Sequence, residues 1–162
     1  MKIQQLSKVE YWKATLRWSP PRKWYRGEGV DLPSELKDLT GLYRLEMRHK
    51  RQAGPRRNAY IGITYDQTFE ERIHSGDRIE QIDKWFPKGQ LWVSVAELNL
   101  HGAKHLRTRY EEIEGILIYF TRPIKNDRKK QWAPSGYFEV KNTGYRGPLP
   151  RTIIYPVAGI EL

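Results

Sequence analysis

The sequence predicts an α/β (α+β) fold: a small antiparallel three-stranded sheet flanked by helices, with an N-terminal arm and a C-terminal extension. Three observations lead there. Leu42 to Met47 alternates, placing Tyr43, Leu45 and Met47 on one face and Arg44 and Glu46 on the other, which is the period of a half-buried strand. Leu91 to Leu98 is rich in β-formers, with Gly89 before it and Asn99 after it, and reads as a further strand. From His101 to about Phe120, the residues Leu106, Ile113, Ile116, Leu117 and Phe120 share one helical stripe, and Pro123 stops the helix. A chain of 162 residues is the size of one domain with a real core and leaves little room for a second.

The elements follow in order. Residues 1 to 40 mix cations, aromatics and turn formers, as in Trp18-Ser-Pro-Pro-Arg22 and Lys23-Trp24-Tyr25-Arg26, and read as an irregular or partly helical arm. Residues 41 to 126 form the core. Its first two strands, around Tyr43 and Tyr60, flank the polar loop from His49 to Asn58, whose Gly54-Pro55 suits an antiparallel hairpin with a long basic tip. Thr68, followed by Glu70 and Glu71, suits an N-cap with acidic first-turn residues; the short helix carries Phe69, Arg72 and Ile73 and ends at Gly76. Residues 127 to 162 hold Gly136, Gly144, Gly147 and several prolines among short β-like pieces, and read as hairpins and loops packed on the core.

Charge and cysteine content narrow the function. The 29 Lys plus Arg outnumber the 19 Asp plus Glu, and the formal charge of +10 favours a polyanionic partner, with nucleic acid ahead of a membrane surface. No apolar run approaches the roughly 18 residues of a spanning helix, and the N-terminus lacks the apolar core of a signal peptide. Zero cysteines exclude disulfides, thiolate zinc sites and cysteine nucleophiles, and a cytoplasmic location is expected.

Three pieces of the core belong together. Gly41-Leu42-Tyr43 and Ala59-Tyr60-Ile61-Gly62 open two neighbouring strands, and Glu114, Leu117-Ile118, Pro123 and Asn126 run along the last helix and past its end. Residues 41 to 126 thereby resemble the GIY-YIG nuclease superfamily. The separation of the tyrosines is longer than usual in that family, and the basic hairpin tip accounts for it. The resemblance implies a metal-binding glutamate at Glu114, an arginine at Arg72, catalytic tyrosines at Tyr43 and Tyr60, and Asn126 as a hydrogen-bonder that fixes the helix end against the hairpin. Where the family often has a His or Tyr one turn after its arginine, this chain has Gly76, and His74 is the nearest substitute.

The implied activity is metal-dependent hydrolysis of DNA phosphodiester bonds, restriction-like, with Mg²⁺ or Mn²⁺ as cofactor. Such a reaction requires a positioned water, cationic charge on the non-bridging oxygens and help for the leaving oxygen. A hard ion that keeps most of its waters needs only one or two carboxylates. Arg72 would add a fork-shaped positive charge, and Tyr43, with Tyr60 or His74, would orient and deprotonate the water, given a depressed phenol pKa. The basic tip, Lys50, Arg51, Arg56 and Arg57, is expected to grip phosphates beside the tyrosine strands. A homodimer is the expected way to cut both strands of a duplex. Two alternatives share the same residues: an RNA-cleaving toxin or effector, and a non-catalytic nucleic-acid-binding module.

Other signals weigh less. His101 and His105 stand at the i, i+4 spacing of a helical metal site, but no third ligand is evident and surface histidines at a helix start explain them better. Trp12, Trp18, Trp24 and Trp132 are interleaved with Lys and Arg as in a surface that stacks bases, although burial is the commoner fate of each. No P-loop, dinucleotide glycine signature or Gly-x-Ser-x-Gly elbow occurs.

Overall fold

The computed structural model describes residues 11 to 127 and 137 to 155. Strand β1 (Tyr11–Trp18) is followed by β2 (Arg22–Tyr25), β3 (Gly29–Val30), α1 (Ser34–Lys37), β4 (Gly41–Arg48) and β5 (Arg57–Thr64). Then come α2 (Phe69–Ile73), α3 (Gly76–Trp85), β6 (Gln90–His101), α4 (Arg107–Thr121), β7 (Tyr137–Gly144) and β8 (Thr152–Tyr155). The strands make one eight-stranded mixed sheet, so the expected three-stranded sheet is corrected.

The expected sheet is the part of it built from β5, β4 and β6. β4 pairs antiparallel with β5 (Tyr43 opposite Gly62) and with β6 (Tyr43 opposite Val95). The free edge of β6 then takes two more partners, β2 near Val93 and β1 from Ala96 to His101. β7 adds in parallel to β1, and β8 adds antiparallel to β7. The physical reason for the larger sheet is the alternation in β1: Trp12, Ala14, Leu16 and Trp18 are buried, while Tyr11, Lys13 and Arg17 face out. An apolar strand face needs cover, and a neighbouring strand also satisfies its backbone donors and acceptors. Residues 11 to 18 are therefore a strand and not an irregular arm, and the segment from Tyr137 belongs to the same sheet.

The sheet separates two cores. On one side α4 packs Tyr110, Ile113, Ile116, Leu117 and Ile118 against Trp12, Leu16, Trp18, Leu42, Ile61 and Phe138. On the other, Phe69 and Ile73 of α2 and Ile82 of α3 pack on Tyr43, Leu45, Val93, Val95 and Trp24. β4 is buried on both faces, and all of its residues from Gly41 to Met47 are inaccessible. Trp12, Trp18 and Trp24 are thus core residues: Trp12 stacks on Phe138 at 4.6 Å, Trp18 Nε1 donates to Asn142 at 3.0 Å, and Trp24 Nε1 donates to Asp83 at 2.8 Å. Trp132 lies outside the described residues. Among the described residues, no helix is long and apolar enough to cross a membrane.

Helix boundaries shift in two places. Thr68 caps α2 with a reciprocal capping box to Glu71. Gly76, however, is the first residue of a second helix: Ser75 occupies the N-cap position of α3 and Asp77 lies in its first turn. β6 extends to His101 and α4 starts at Arg107, so His101 and His105 do not share a helix.

Candidate active site at the edge of the hairpin

A cleft of about 440 Å³ opens beside β5. Tyr60 of β5, Arg78, Gln81 and Trp85 of α3, and Glu114 and Ile118 of α4 line it, together with the segment Lys125 to Asp127 that follows α4. Each wall has a local cause. On α3, Arg78, Gln81 and Trp85 sit at i, i+3 and i+7, the spacing of one helical face. On α4, Glu114 and Ile118 are one turn apart, and Glu114 is 9% exposed at the margin of the apolar stripe. Past Pro123 the chain runs along the outer edge of β5: the Lys125 amide donates to the Ala59 carbonyl at 2.9 Å. Asn126 then reproduces a strand's pairing with its side chain, Oδ1 accepting from the Ile61 amide and Nδ2 donating to the Ile61 carbonyl, both at 2.8 Å. That double bond fixes where Lys125 and Asp127 enter the cleft.

Both glycines of the tripeptides answer to close packing. A Cβ on Gly41 would lie 2.0 Å from the Ala96 carbonyl oxygen of β6. A Cβ on Gly62 would lie 2.6 Å from the Tyr43 hydroxyl, because the Tyr43 ring crosses the strand directly over it. With that space clear, the Tyr43 hydroxyl meets Arg78, whose guanidinium donates to it in a short hydrogen bond. The same guanidinium lies 4.7 Å from the centre of the Tyr60 ring and 5.3 Å from that of Trp85. Tyr60 and Trp85 are themselves 5.0 Å apart.

The two phenols differ in burial, and burial decides the titration of Tyr43. Burial pushes the Tyr43 pKa well above the ordinary tyrosine value, and Tyr60 adds to the rise; the cations Arg78 and Arg72 pull it down without reversing it. The depressed phenol expected at Tyr43 is therefore not found, since the ring is completely inaccessible. Burial also opposes the charge of Arg78, but the two phenols outweigh it and the guanidinium is held charged. Tyr60 is half-buried and faces the cleft.

Of the residues singled out in the sequence, Tyr60, Glu114 and Asn126 line the cleft, and Tyr43 reaches it through Arg78. Arg72, in the last turn of α2, acts electrostatically on Tyr43 but does not line the cleft. His74 is held elsewhere: Nδ1 is 3.1 Å from Glu70 and Nε2 accepts the Val30 amide at 3.3 Å, with Gly29 against the ring. The basic tip divides. Arg56 lies 3.5 Å from Glu46 and stacks on Trp92 at 4.5 Å, Arg57 opens β5 as an exposed residue, and Lys50 and Arg51 border a separate hollow. Arg78, Gln81, Trp85, Lys125 and Asp127 were not read from the sequence. The signal for α3 was present in Ser75-Gly76-Asp77, a helix start. No family model, curated protein or solved structure matches this chain.

Proposed function

We propose that this protein is a metal-dependent endonuclease that hydrolyses phosphodiester bonds of DNA, in the manner of the restriction-type GIY-YIG enzymes that residues 41 to 126 resemble. One observation carries the reading. A buried arginine, Arg78, is locked by Tyr43 and lies against the rings of both Tyr60 and Trp85 in the cleft that also holds Glu114. Preorganised positive charge opposite a carboxylate in a partly enclosed cleft suits a reaction that develops charge on phosphoryl oxygens. The net charge of +10 suits a polyanion of either kind, and the family resemblance selects DNA.

Arg78 takes the part that the resemblance gives to Arg72. Its planar fork holds the non-bridging oxygens, and Tyr43 fixes its orientation from below. Tyr60 is the phenol that reaches the cleft, so it orients the attacking water, and its phenolate, formed by loss of the phenol proton to solvent, would take the water's proton. Lys125 adds a second cation in the same cleft. Among the described residues, no group of three or more His, Cys, Asp or Glu gathers as a metal cage. A Mg²⁺ or Mn²⁺ ion that keeps most of its waters needs less, and Glu114 with Asp127 supplies two hard oxygen donors in one cleft, so the donor set fits. When bound, the ion contributes Lewis-acid polarisation of the phosphate and charge on the leaving oxygen.

The test is cleavage of plasmid DNA, and in parallel of RNA, by the purified full chain with and without Mg²⁺. Nicking or linearisation that needs the metal and is lost in Glu114→Gln, with the fold retained by circular dichroism, is the expected result. Cleavage of RNA alone moves the substrate, and plasmid cutting undiminished in Glu114→Gln removes the assignment.

A further inference from the structure

We propose that a cationic trough at the far end of α3 is a binding site for the phosphate backbone of the nucleic-acid strand that enters the cleft. It rests on the nuclease reading of that cleft and names how the substrate is held. Two contiguous hollows, of about 420 and 250 Å³, share Arg26, Lys50 and Gly89. His49, Arg51 and Lys88 line the first, and Lys23 lines the second. The five Lys and Arg side chains come from three separate segments: β2 with the turn that follows it, the tip of the β4–β5 hairpin and the connection from α3 to β6.

No Asp or Glu lines either hollow. Among the described residues, Lys23, Arg26, Lys50, Arg51 and Lys88 form no salt bridge, whereas Arg44, Lys84, Arg107 and Arg109 each pair with a carboxylate. Asp83, on the adjoining surface, accepts hydrogen bonds from the Trp24 indole at 2.8 Å and the Gly27 amide at 2.7 Å. Five like charges brought together without counter-charge repel one another, and a polyanion lying in the trough relieves that repulsion.

Position decides which polyanion. Trp85 lines the cleft and Pro87, two residues on, lines the trough. Two successive Cα steps keep the Cα atoms of Trp85 and Pro87 within about 7.6 Å of each other. Phosphates follow one another along a strand at an axial rise of about 3.4 Å. A strand passing over the end of α3 therefore lays one phosphate at Arg78 and, within a few nucleotides, others among Lys88, Lys50 and Arg26. Tyr25, 53% exposed beside the second hollow, gives the same track an aromatic ring with Lys23 over it at 5.5 Å. The alternative occupant, an anionic membrane surface, has no such relation to the cleft.

The decisive experiment is fluorescence anisotropy of the full chain on a labelled DNA duplex, without divalent metal, over a range of salt concentrations. Lys50→Gln, Arg51→Gln and Lys88→Gln are combined in one variant. A control carries Lys13→Gln, Lys104→Gln and Lys141→Gln, three exposed lysines outside both hollows with the same loss of charge. The trough variant is expected to bind at least tenfold more weakly and to lose about 2 to 3 from the slope of log K against log salt, with the control changed far less. Equal losses in the two variants, an unchanged slope in the trough variant, or binding of phosphatidylserine vesicles by a parent chain that ignores the duplex would overturn the proposal. Glu114→Gln separates this site from the cleft. If that variant still cuts while the trough variant fails to bind, the assignment of the reaction to Glu114 and its cleft falls and the trough stands. If Glu114→Gln is inactive while the trough variant binds like the parent, the trough falls alone.

Discussion

The guanidinium of Arg78 donates to the hydroxyl of Tyr43 over the bare backbone of Gly62. That relationship links two strands and a helix through one hydrogen bond, and explains why the tripeptides Gly41-Leu42-Tyr43 and Tyr60-Ile61-Gly62 matter together. The second glycine makes room for the first tyrosine, and the first tyrosine holds the arginine against the second. The chemistry offered to the cleft is then a fixed cation, a half-buried phenol and a carboxylate.

Arg78→Ala is expected to lower the single-turnover cleavage rate by about 10²–10³, the usual cost of one preorganised charge. Arg78→Lys should recover little, because an ammonium cannot accept the Tyr43 geometry and present a fork to phosphate together. Arg72→Ala acts only through its field at Tyr43 and should cost less than about tenfold on the same scale. Equal losses for the two alanine variants on supercoiled plasmid would return the role to Arg72.

Tyr43 carries a signature in alkali. Its folded pKa is raised, by burial first, while the unfolded value is ordinary, so the native state holds this proton longer than the unfolded chain. Its contribution to stability is complete below about pH 10 and declines as pH rises towards the folded pKa. The urea midpoint of the parent should therefore fall above about pH 10 more steeply than that of Tyr43→Phe. Parallel curves for the two proteins would mean that Tyr43 titrates like an exposed phenol.

Legibility followed the range of the forces involved. The β4–β5 hairpin, the N-cap at Thr68 and the buried part of the α4 stripe, Ile113, Ile116 and Leu117, are set by neighbours in sequence and legible there, whereas Leu106 and Phe120, expected on the same stripe, are exposed at the two ends of the helix. β1 was also written plainly in Trp12, Ala14, Leu16 and Trp18, but Lys13 and Arg17 between them suggested a solvated arm. Its parallel partner β7 comes from the other end of the chain, and no local period announces such a pairing. In the cleft, Tyr60, Glu114 and Asn126 were legible through their spacing. Arg78, Gln81 and Trp85 were hidden because Gly76 was read as a helix stop, whereas Ser75 and Asp77 on either side make it a start.

On the opposite face of β4, Arg44 and Glu46 form an ion pair at 2.7 Å, and Arg44 is wholly inaccessible. Burial lowers the Arg44 pKa to about 10, with Glu46 working against the fall, so the guanidinium is charged at neutral pH. It also donates to the carbonyls of Tyr145 and Arg146 and lies 4.9 Å from the Trp18 ring, which ties the segment after β7 to the centre of the sheet. Gly147 is required there, since a Cβ would stand 2.7 Å from Glu46 Oε1. Removing one partner leaves the other charge buried and uncompensated, so Glu46→Ala should cost about 3–5 kcal/mol of stability. Replacing both with apolar residues of similar volume, as in Arg44→Met with Glu46→Leu, should cost far less, because neither buried member of the pair is then stranded and Arg56, which also loses Glu46, keeps a third of its side chain exposed. Urea denaturation of the single and double variants measures the difference. A double variant as unstable as Glu46→Ala would instead place the stabilisation in the two carbonyl bonds that Arg44 makes to the segment after β7.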